Sequence, residues 1–452
     1  MTFHGCHIFI ALFGAVNEKT FMKKLLCAIF LLSTAAFAKG DLSPLPNGGA
    51  NNSLSPKGPE VIERGSPFLL GKANNTYTYL RCYYRINPAS TTPQADYLWA
   101  RAMNSTAYYR LEGYWWSSLA VSWKNMFYSD TPLTALQQVC DNTLNRAGIQ
   151  QPLAMIAAAN NKLSFNYTVW NNDLPAQSTA INKIIAFGDS LSDTNNVFNA
   201  SLWRFPNPKS WFLGRFSNGP TWVEYLAKQS RLPVYNWAVG GAASNQQKRV
   251  IPGILEQVDS WLIYMKEAKN YRPENSLFTV WIGANDLVTY NQGVDGLIVN
   301  QGKALNRLVG AGAKKILVLN LPDITRAPEF AYRQDGAEIK RQIDDYNRRI
   351  KQVVDDINNR YPSPPVMLFD LEALFTDMLD HPERYQVGDV KTSCLDIQAP
   401  SSLNYINAIP VRAVCTDADS YVFWDLLHPT THTHRLLAEH IFNYLQQQQV
   451  WP

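Results

Sequence analysis

From Asn182 onward, short wholly apolar runs alternate with longer stretches of helical periodicity. Ile184-Ile185-Ala186-Phe187 is one such run and ends at a glycine; the others are Val234–Ala238, Leu277–Ile282, Lys315–Asn320 and Val366–Asp370. Runs this short and without polar alternation read as strands buried on both faces. Between the last two, Ile339, Ile343, Tyr346, Ile350, Val353 and Ile357 recur every three or four residues. That spacing predicts an amphipathic helix, which Pro362 should end. Strands separated by helices predict an α/β fold: a five-stranded parallel sheet with helices on both faces. Sites in such sheets lie at the carboxyl ends of the strands.

The pattern upstream is different. Thr76-Tyr77-Thr78-Tyr79-Leu80 and Tyr108-Tyr109-Arg110-Leu111 suit strands, and fourteen aromatics fall between Tyr77 and Tyr128. Residues 76–180 are therefore expected to form a small β-containing, aromatic-rich domain, with 181–452 as the α/β domain. The aromatics are read first as its core, and second as a surface for lipid. Residues 39–75, rich in Pro, Gly, Asn and Ser, read as a linker. Met22-Lys23-Lys24, an apolar stretch from Leu25 to Ala36, and Ala36-Phe37-Ala38 describe a secretory signal peptide over 1–38, with Met22 as the expected start. The apolar stretch is too short to span a bilayer, and Lys24-Leu25-Leu26 before Cys27 is a poor lipid-attachment signal. No internal repeat stands out.

Composition changes this picture in two places. Trp 13, Tyr 22 and Phe 20 in 452 residues are a clear aromatic excess, which the N-terminal region absorbs. The net charge is +4; beyond Ala38 there are 38 basic against 36 acidic residues. Such a balance argues against nucleic acid as a partner and against a polybasic membrane anchor, while leaving apolar contact with lipid open. Of six cysteines, four follow the signal: Cys82, Cys140, Cys394 and Cys415. Three pairings are possible, and neighbours within each region, Cys82–Cys140 and Cys394–Cys415, are the expected disulfides of an exported protein. No pair has zinc-ligand spacing, so no metal is expected.

The chemistry sits at the expected strand ends. The first strand runs into Gly188-Asp189-Ser190-Leu191, which presents Ser190 above the sheet beside helical N–H groups able to hold an oxyanion. A serine there could equally be a helix N-cap, and four residues alone are a weak signal. The second strand leads to Asn236-Trp237-Ala238-Val239-Gly240-Gly241, where glycines allow close backbone approach. The third leads to Gly283-Ala284-Asn285-Asp286, with the Asn285 amide as a donor. Near the C-terminus, Asp425-Leu426-Leu427-His428-Pro429 spaces a carboxylate and an imidazole so that both can face one site.

Taken together these four motifs resemble those of the SGNH (GDSL-type) lipolytic enzymes, in the family's own order. Thr76-Tyr77-Thr78-Tyr79, Glu112-Gly113-Tyr114-Trp115-Trp116 and Trp203-Arg204-Phe205-Pro206 narrow the resemblance to the secreted lecithin-dependent haemolysin branch. The C-terminal half is also similar to glycerophospholipid–cholesterol acyltransferases. The resemblance implies a flavodoxin-like strand order, Ser190 as nucleophile, His428 as base and Asp425 as its partner. It implies an oxyanion hole from the Ser190 and Gly241 N–H groups with the Asn285 side chain, and no cofactor. One departure is Asn195, where relatives usually carry glycine.

The expected activity is that of a secreted phospholipase A/lysophospholipase, reaching the exterior through the periplasm and acting peripherally on membranes or micelles. Cholesterol would be a second acyl acceptor. The Cys394–Cys415 bond is read first as a staple on a long loop and second as bounding a regulatory flap, for which a protease acting around Pro400-Ser401-Ser402-Leu403 would be an activating partner. The competing functions are a carboxylesterase or carbohydrate deacetylase, which the same fold hosts, and a non-catalytic lipid-binding cytolysin. Of the remaining polar residues, His432 and His434 are expected to be exposed on the C-terminal helix. Asp189 and Asp286 are expected to be structural, and Arg348, Arg349 and Lys351 a solvated face.

Overall fold

The computed structural model describes residues 71–72, 76–117, 126–159, 166–173 and 180–451. The predicted signal peptide (1–38), the Met22 start and the linker (39–75) apart from Gly71–Lys72 lie outside the described residues.

Seven strands form the N-terminal sheet: β1 (Gly71–Lys72), β2 (Thr76–Arg85), β3 (Ala95–Trp99), β4 (Leu111–Ser117), β5 (Met126–Ser129), β6 (Leu153–Ala159) and β7 (Thr168–Asn171). The path is β3-β2-β4-β5-β7, with β1 on β4 and β6 on β2. Helix α1 (Leu133–Arg146) packs on β2 and β6 and is bonded to β2 by Cys82–Cys140. The Tyr108–Leu111 run becomes strand only at Leu111. Tyr108 instead makes a single bridge to Arg101, whose guanidinium lies 3.9 Å from the tyrosine ring.

The parallel sheet comprises β8 (Lys183–Gly188), β9 (Val234–Asn236), β10 (Ser276–Trp281), β11 (Lys315–Leu319) and β12 (Val366–Phe369), ordered β12-β11-β10-β8-β9. In chain order this is 2-1-3-4-5, the flavodoxin-like arrangement, with the crevice where the order reverses at β8 and β10. Every residue of β8 and β10 is buried, so both faces are covered. The helices are α2 (Asn196–Ala200), α3 (Trp222–Ser230), α4 (Ile254–Glu267), α5 (Val294–Gly310), α6 (Gly336–Asn358), α7 (Leu371–Asp380) and α8 (Thr431–Gln447). Helix α3 packs on α8, while α4, α5 and α6 pack in succession. Two short strands, β13 (Asp389–Ser393) and β14 (Tyr421–Phe423), pair beside this sheet.

Helix α6 buries Ile339, Ile343, Tyr346, Ile350 and Ile357, but Val354 takes the fully buried place expected for Val353. It ends before Pro362 because Asn358 is tied into the next strand: its amide donates to the Val366 carbonyl and accepts from the Val366 N–H.

The two sheets share one core. Trp170 of β7 stacks on Tyr235 of β9 at 4.4 Å and packs against Trp237 and Tyr264. The Tyr235 hydroxyl accepts from the Asn171 N–H at 2.8 Å. Lys183, at the start of β8, forms a buried ion pair with Asp173. Among the described aromatics from Tyr77 to Tyr128, those whose side chains are placed are all buried or half-buried.

Candidate active site

Strand β8 ends at Gly188 because nothing larger fits: a Cβ there would stand 2.6 Å from the Trp281 carbonyl of β10. Gln257 of α4 clasps this residue, accepting from its N–H at 2.9 Å and donating to its carbonyl at 2.8 Å. Two residues on, Ser190 stands at the sheet's carboxyl edge, 8% exposed.

The turn after β14 brings the other partners. His428 Nε2 lies 2.8 Å from Ser190 Oγ, and His428 Nδ1 lies 3.0 Å from each Asp425 oxygen. Asp425 is fully buried and also accepts from the Leu427 and His428 N–H groups, at 2.9 and 2.8 Å, and from Trp211 Nε1 at 3.0 Å. Burial pushes the Asp425 carboxyl up, but the His428 charge and these N–H donors outweigh it and hold it below its usual range. For His428 burial pushes downward, yet the Asp425 charge and hydrogen bond, with Asp189 and Glu329 adding, raise it overall. With its Nδ1 proton directed at Asp425, the imidazole leaves Nε2 free to take the serine proton.

Of the oxyanion-hole candidates, Asn285 lines the same pocket as Ser190. Asp193 organises two turns at once, accepting from the N–H groups of Asn195, Asn196, Val197 and, across the gap, Gly240 at 2.8 Å. Gly241 has φ +81°, a conformation that suits glycine. Asn285 opens a single π-helical turn, Asn285–Thr289. One of its amide protons goes to the Ala242 carbonyl at 3.0 Å and Thr289 donates to its carbonyl oxygen at 2.8 Å. This leaves the second amide proton for the pocket that Asn285 and Ser190 both line. Asn195, the departure from the family pattern, has φ +159° and lies outside the compact left-handed region that asparagine tolerates.

That pocket is lined from the ends of β8, β10 and β11 and from α7 and α8. From Ser190, Asn285 and His428 it continues over Leu321, Ile324, Leu374, Phe375, Met378 and Leu437, an almost wholly apolar lining. One of its buried polar members corrects an expectation: His434 is 1% exposed. Burial, then the His428 charge, pushes its imidazole down to about 3, so it is neutral. His432 is buried too, its ring nitrogens held by the Tyr385 carbonyl and Arg435. Both were expected to be exposed because the helix's polar lettering does not reveal that its first turn is enclosed by neighbouring elements.

Asp286 accepts from the Ser244 N–H and hydroxyl, and Asp189 from the Leu191 N–H, as structural carboxylates do. Burial raises Asp189 to about 7. Arg348, Arg349 and Lys351 pair with nearby aspartates on α6 and with Asp295. Among the described residues no group of three His, Cys, Asp or Glu could hold a metal. Sequence reasoning missed Trp211, Gln257, Asp193 and Tyr405, whose hydroxyl lies 3.2 Å from His428 Nδ1. Only Asp193, three residues past Ser190, carried a local signal.

Two family models match the chain: Vibrio dual lipase/transferase, N-terminal domain, over residues 55–172, and GDSL-like lipase/acylhydrolase over 184–441. The thermolabile hemolysin of Vibrio parahaemolyticus is 44% identical over 385 residues, covering 84% of this chain and 90% of the relative. The phosphatidylcholine-sterol acyltransferase of Aeromonas hydrophila is 28% identical over 314 residues, covering 60% and 91%. Among solved structures, an acetylxylan esterase from Geobacillus stearothermophilus aligns at 15% identity with a TM-score of 0.34, covering 58% of this chain and 94% of that one. At that score the likeness carries no further argument.

Proposed function

The chain belongs to the GDSL-like lipase/acylhydrolase family and is a serine ester hydrolase; on that premise we propose that it is a secreted phospholipase A/lysophospholipase working through an acyl-serine intermediate. The observation that carries this reading is the hydrogen-bonded series Ser190–His428–Asp425 at the mouth of a deep apolar pocket. His428 takes the Ser190 proton as Oγ attacks the ester carbonyl. The N–H groups of Ser190 and Gly241 and the Asn285 amide receive the oxyanion, and protonated His428 gives its proton to the departing lysolipid alkoxide. Water, or a second alcohol such as cholesterol, then reverses the sequence and frees the serine. The sterol acceptor is supported by the name of the Aeromonas relative.

Leu321, Ile324, Leu374, Phe375, Met378 and Leu437 give the pocket an apolar lining, which favours a long acyl chain over a carbohydrate deacetylase. We take residues 76–180 as the N-terminal unit and 181–452 as the catalytic one. Two disulfides and the haemolysin relative fit an extracellular protein. No helix among the described residues is long and apolar enough to cross a membrane, and peripheral action at a lipid surface is part of the proposal. Activation by a cut in the Cys394–Cys415 loop is left out of it. Pro400, Ser401 and Ser402 are half-buried while Leu403 is exposed, and the Ser401 hydroxyl accepts from the Leu403 N–H to cap a short helical turn. The test is product analysis on phosphatidylcholine and lysophosphatidylcholine, with and without cholesterol. Free fatty acid from both, and cholesteryl ester when cholesterol is present, is expected. Hydrolysis confined to short soluble esters would favour the carboxylesterase reading.

A further inference from the structure

The loop closed by Cys394–Cys415 runs beside the catalytic turn without entering the substrate pocket. None of its residues lines that pocket, although all are described. It is knitted shut, with Leu395 bridged to Val411 and the Arg412 N–H donating to the Cys394 carbonyl at 2.9 Å. It is also fastened to the segment preceding Trp211. The Asn207 N–H and amide donate to the carbonyls of Tyr405 and Ile406 at 2.8 and 2.7 Å, and Ser210 exchanges hydrogen bonds with the Ile409 backbone at 2.8 and 2.7 Å.

One side chain of this loop reaches the base. The Tyr405 ring sits among Phe205, Trp211 and Phe216, with centroids 5.7, 5.2 and 5.3 Å away, and meets the His428 ring edge-on at 5.7 Å. Its hydroxyl ends 3.2 Å from Nδ1. Because Ser190 donates to Nε2, the proton of neutral His428 sits on Nδ1, so the phenol oxygen is an acceptor beside the N–H shared with Asp425. The buried phenol stays un-ionised, burial first and then the Asp425 and Glu329 charges raising it well above its usual value.

We propose that Tyr405 is a positioning residue for His428, and that the disulfide-closed loop carrying it is a fixed buttress of the catalytic base and not a lid over the site. The inference rests on His428 being the base. Its ring is held from one side by Asp425, from another by Tyr405, and faces Ser190 in front; Asp189 and Glu329 act on it through charge, and its own charge acts on neutral His434. Of these only Tyr405 belongs to the loop; the loop's first residues also brace the catalytic turn, the Cys394 and Leu395 N–H groups donating to the Phe423 and Trp424 carbonyls at 3.0 and 2.9 Å, but the contact with the base itself is one phenol oxygen and the aromatic packing behind it.

The experiment is kcat and KM against pH for the wild type, Tyr405→Phe and Tyr405→Ala, with His428→Asn as reference. Tyr405→Phe keeps the ring in its aromatic cage and removes one acceptor. It should lower kcat about three- to tenfold with KM nearly unchanged. Losing a lone pair beside Nδ1–H disfavours the imidazolium, so the acidic limb of the profile should move down by about half a pH unit. Tyr405→Ala should lose more. A purely structural tyrosine would leave the limb of the Phe variant where it is. Limited proteolysis inside the intact disulfide should give turnover at or below that of the uncut protein. A Phe variant with wild-type kcat and pH profile, or a cut that raises turnover, overturns the buttress. An active His428→Asn protein would overturn the catalytic reading beneath it instead.

Discussion

Each residue of the Ser190–His428–Asp425 series is fixed by something behind it. Asp425 is held by three N–H donors besides His428 Nδ1, so its role is orientation as much as charge. Asp425→Asn should fold, because the shape is kept, yet invite the wrong His428 tautomer. A kcat loss of about 10³- to 10⁴-fold is expected from steady-state kinetics. Trp211→Phe removes a single donor to the same carboxylate and should cost about tenfold in kcat. His434 has a different signature. Its folded-state pKa of about 3 lies below the unfolded value of about 6.5, so the unfolded chain takes up the proton first as pH falls. The stability this group contributes is complete above pH 6.5 and drains away towards pH 3, by about 2 kcal/mol between pH 7 and 5. Asp189, raised to about 7, acts in the opposite sense over part of that range, so the comparison must be with a variant. Against the wild type, His434→Leu should show a flatter dependence of Tm on pH; an unchanged slope would mean that His434 is not buried and neutral.

At the scale of elements, what the chain disclosed in advance followed from how local each signal was. The five parallel strands were legible because each is a short apolar run, buried throughout in β8 and β10, and that pattern needs no partner's identity to be seen. Helix α6 was legible from its period, while its end was not, since Asn358 stops it by bonding to Val366, a contact outside the period's logic. The four motifs, three of which line the pocket, were readable because each is a contiguous turn at a strand end. Trp211 and Tyr405 come from segments far from Asp425 and His428 in sequence, and only folding brings them together. The same holds for His434, whose burial depends on elements distant in the chain. The Cys82–Cys140 bond belongs to this scale as well, pinning α1 to β2 across a separation of 58 residues. Replacing both cysteines by serine should destabilise the protein by about 4 kcal/mol in the chain-entropy model, measured by denaturant unfolding. A shift near zero would mean that the bond merely decorates a sheet already closed by packing.

For the whole molecule, the aromatic excess has acquired a location. Met126, Tyr128 and Trp170 of the N-terminal sheet belong to the same buried cluster as Tyr235 of β9, Trp237 just beyond it and Tyr264 of α4. The N-terminal unit is therefore fused to the catalytic one through shared core, reinforced by Lys183–Asp173 and by Asn218 donating to the Ser90 carbonyl. A chain beginning at residue 181 should lose solubility and cooperative unfolding, and with them activity on all substrates alike. Selective loss of micellar activity by a well-folded fragment would instead assign the aromatics to the lipid surface. The central claim, that lipid cleavage passes through Ser190, is tested most directly by turnover of phosphatidylcholine with Ser190→Ala, its fold checked by circular dichroism. The predicted result is release of fatty acid reduced by about 10⁴-fold or more; undiminished fatty acid release by the folded variant would contradict the account.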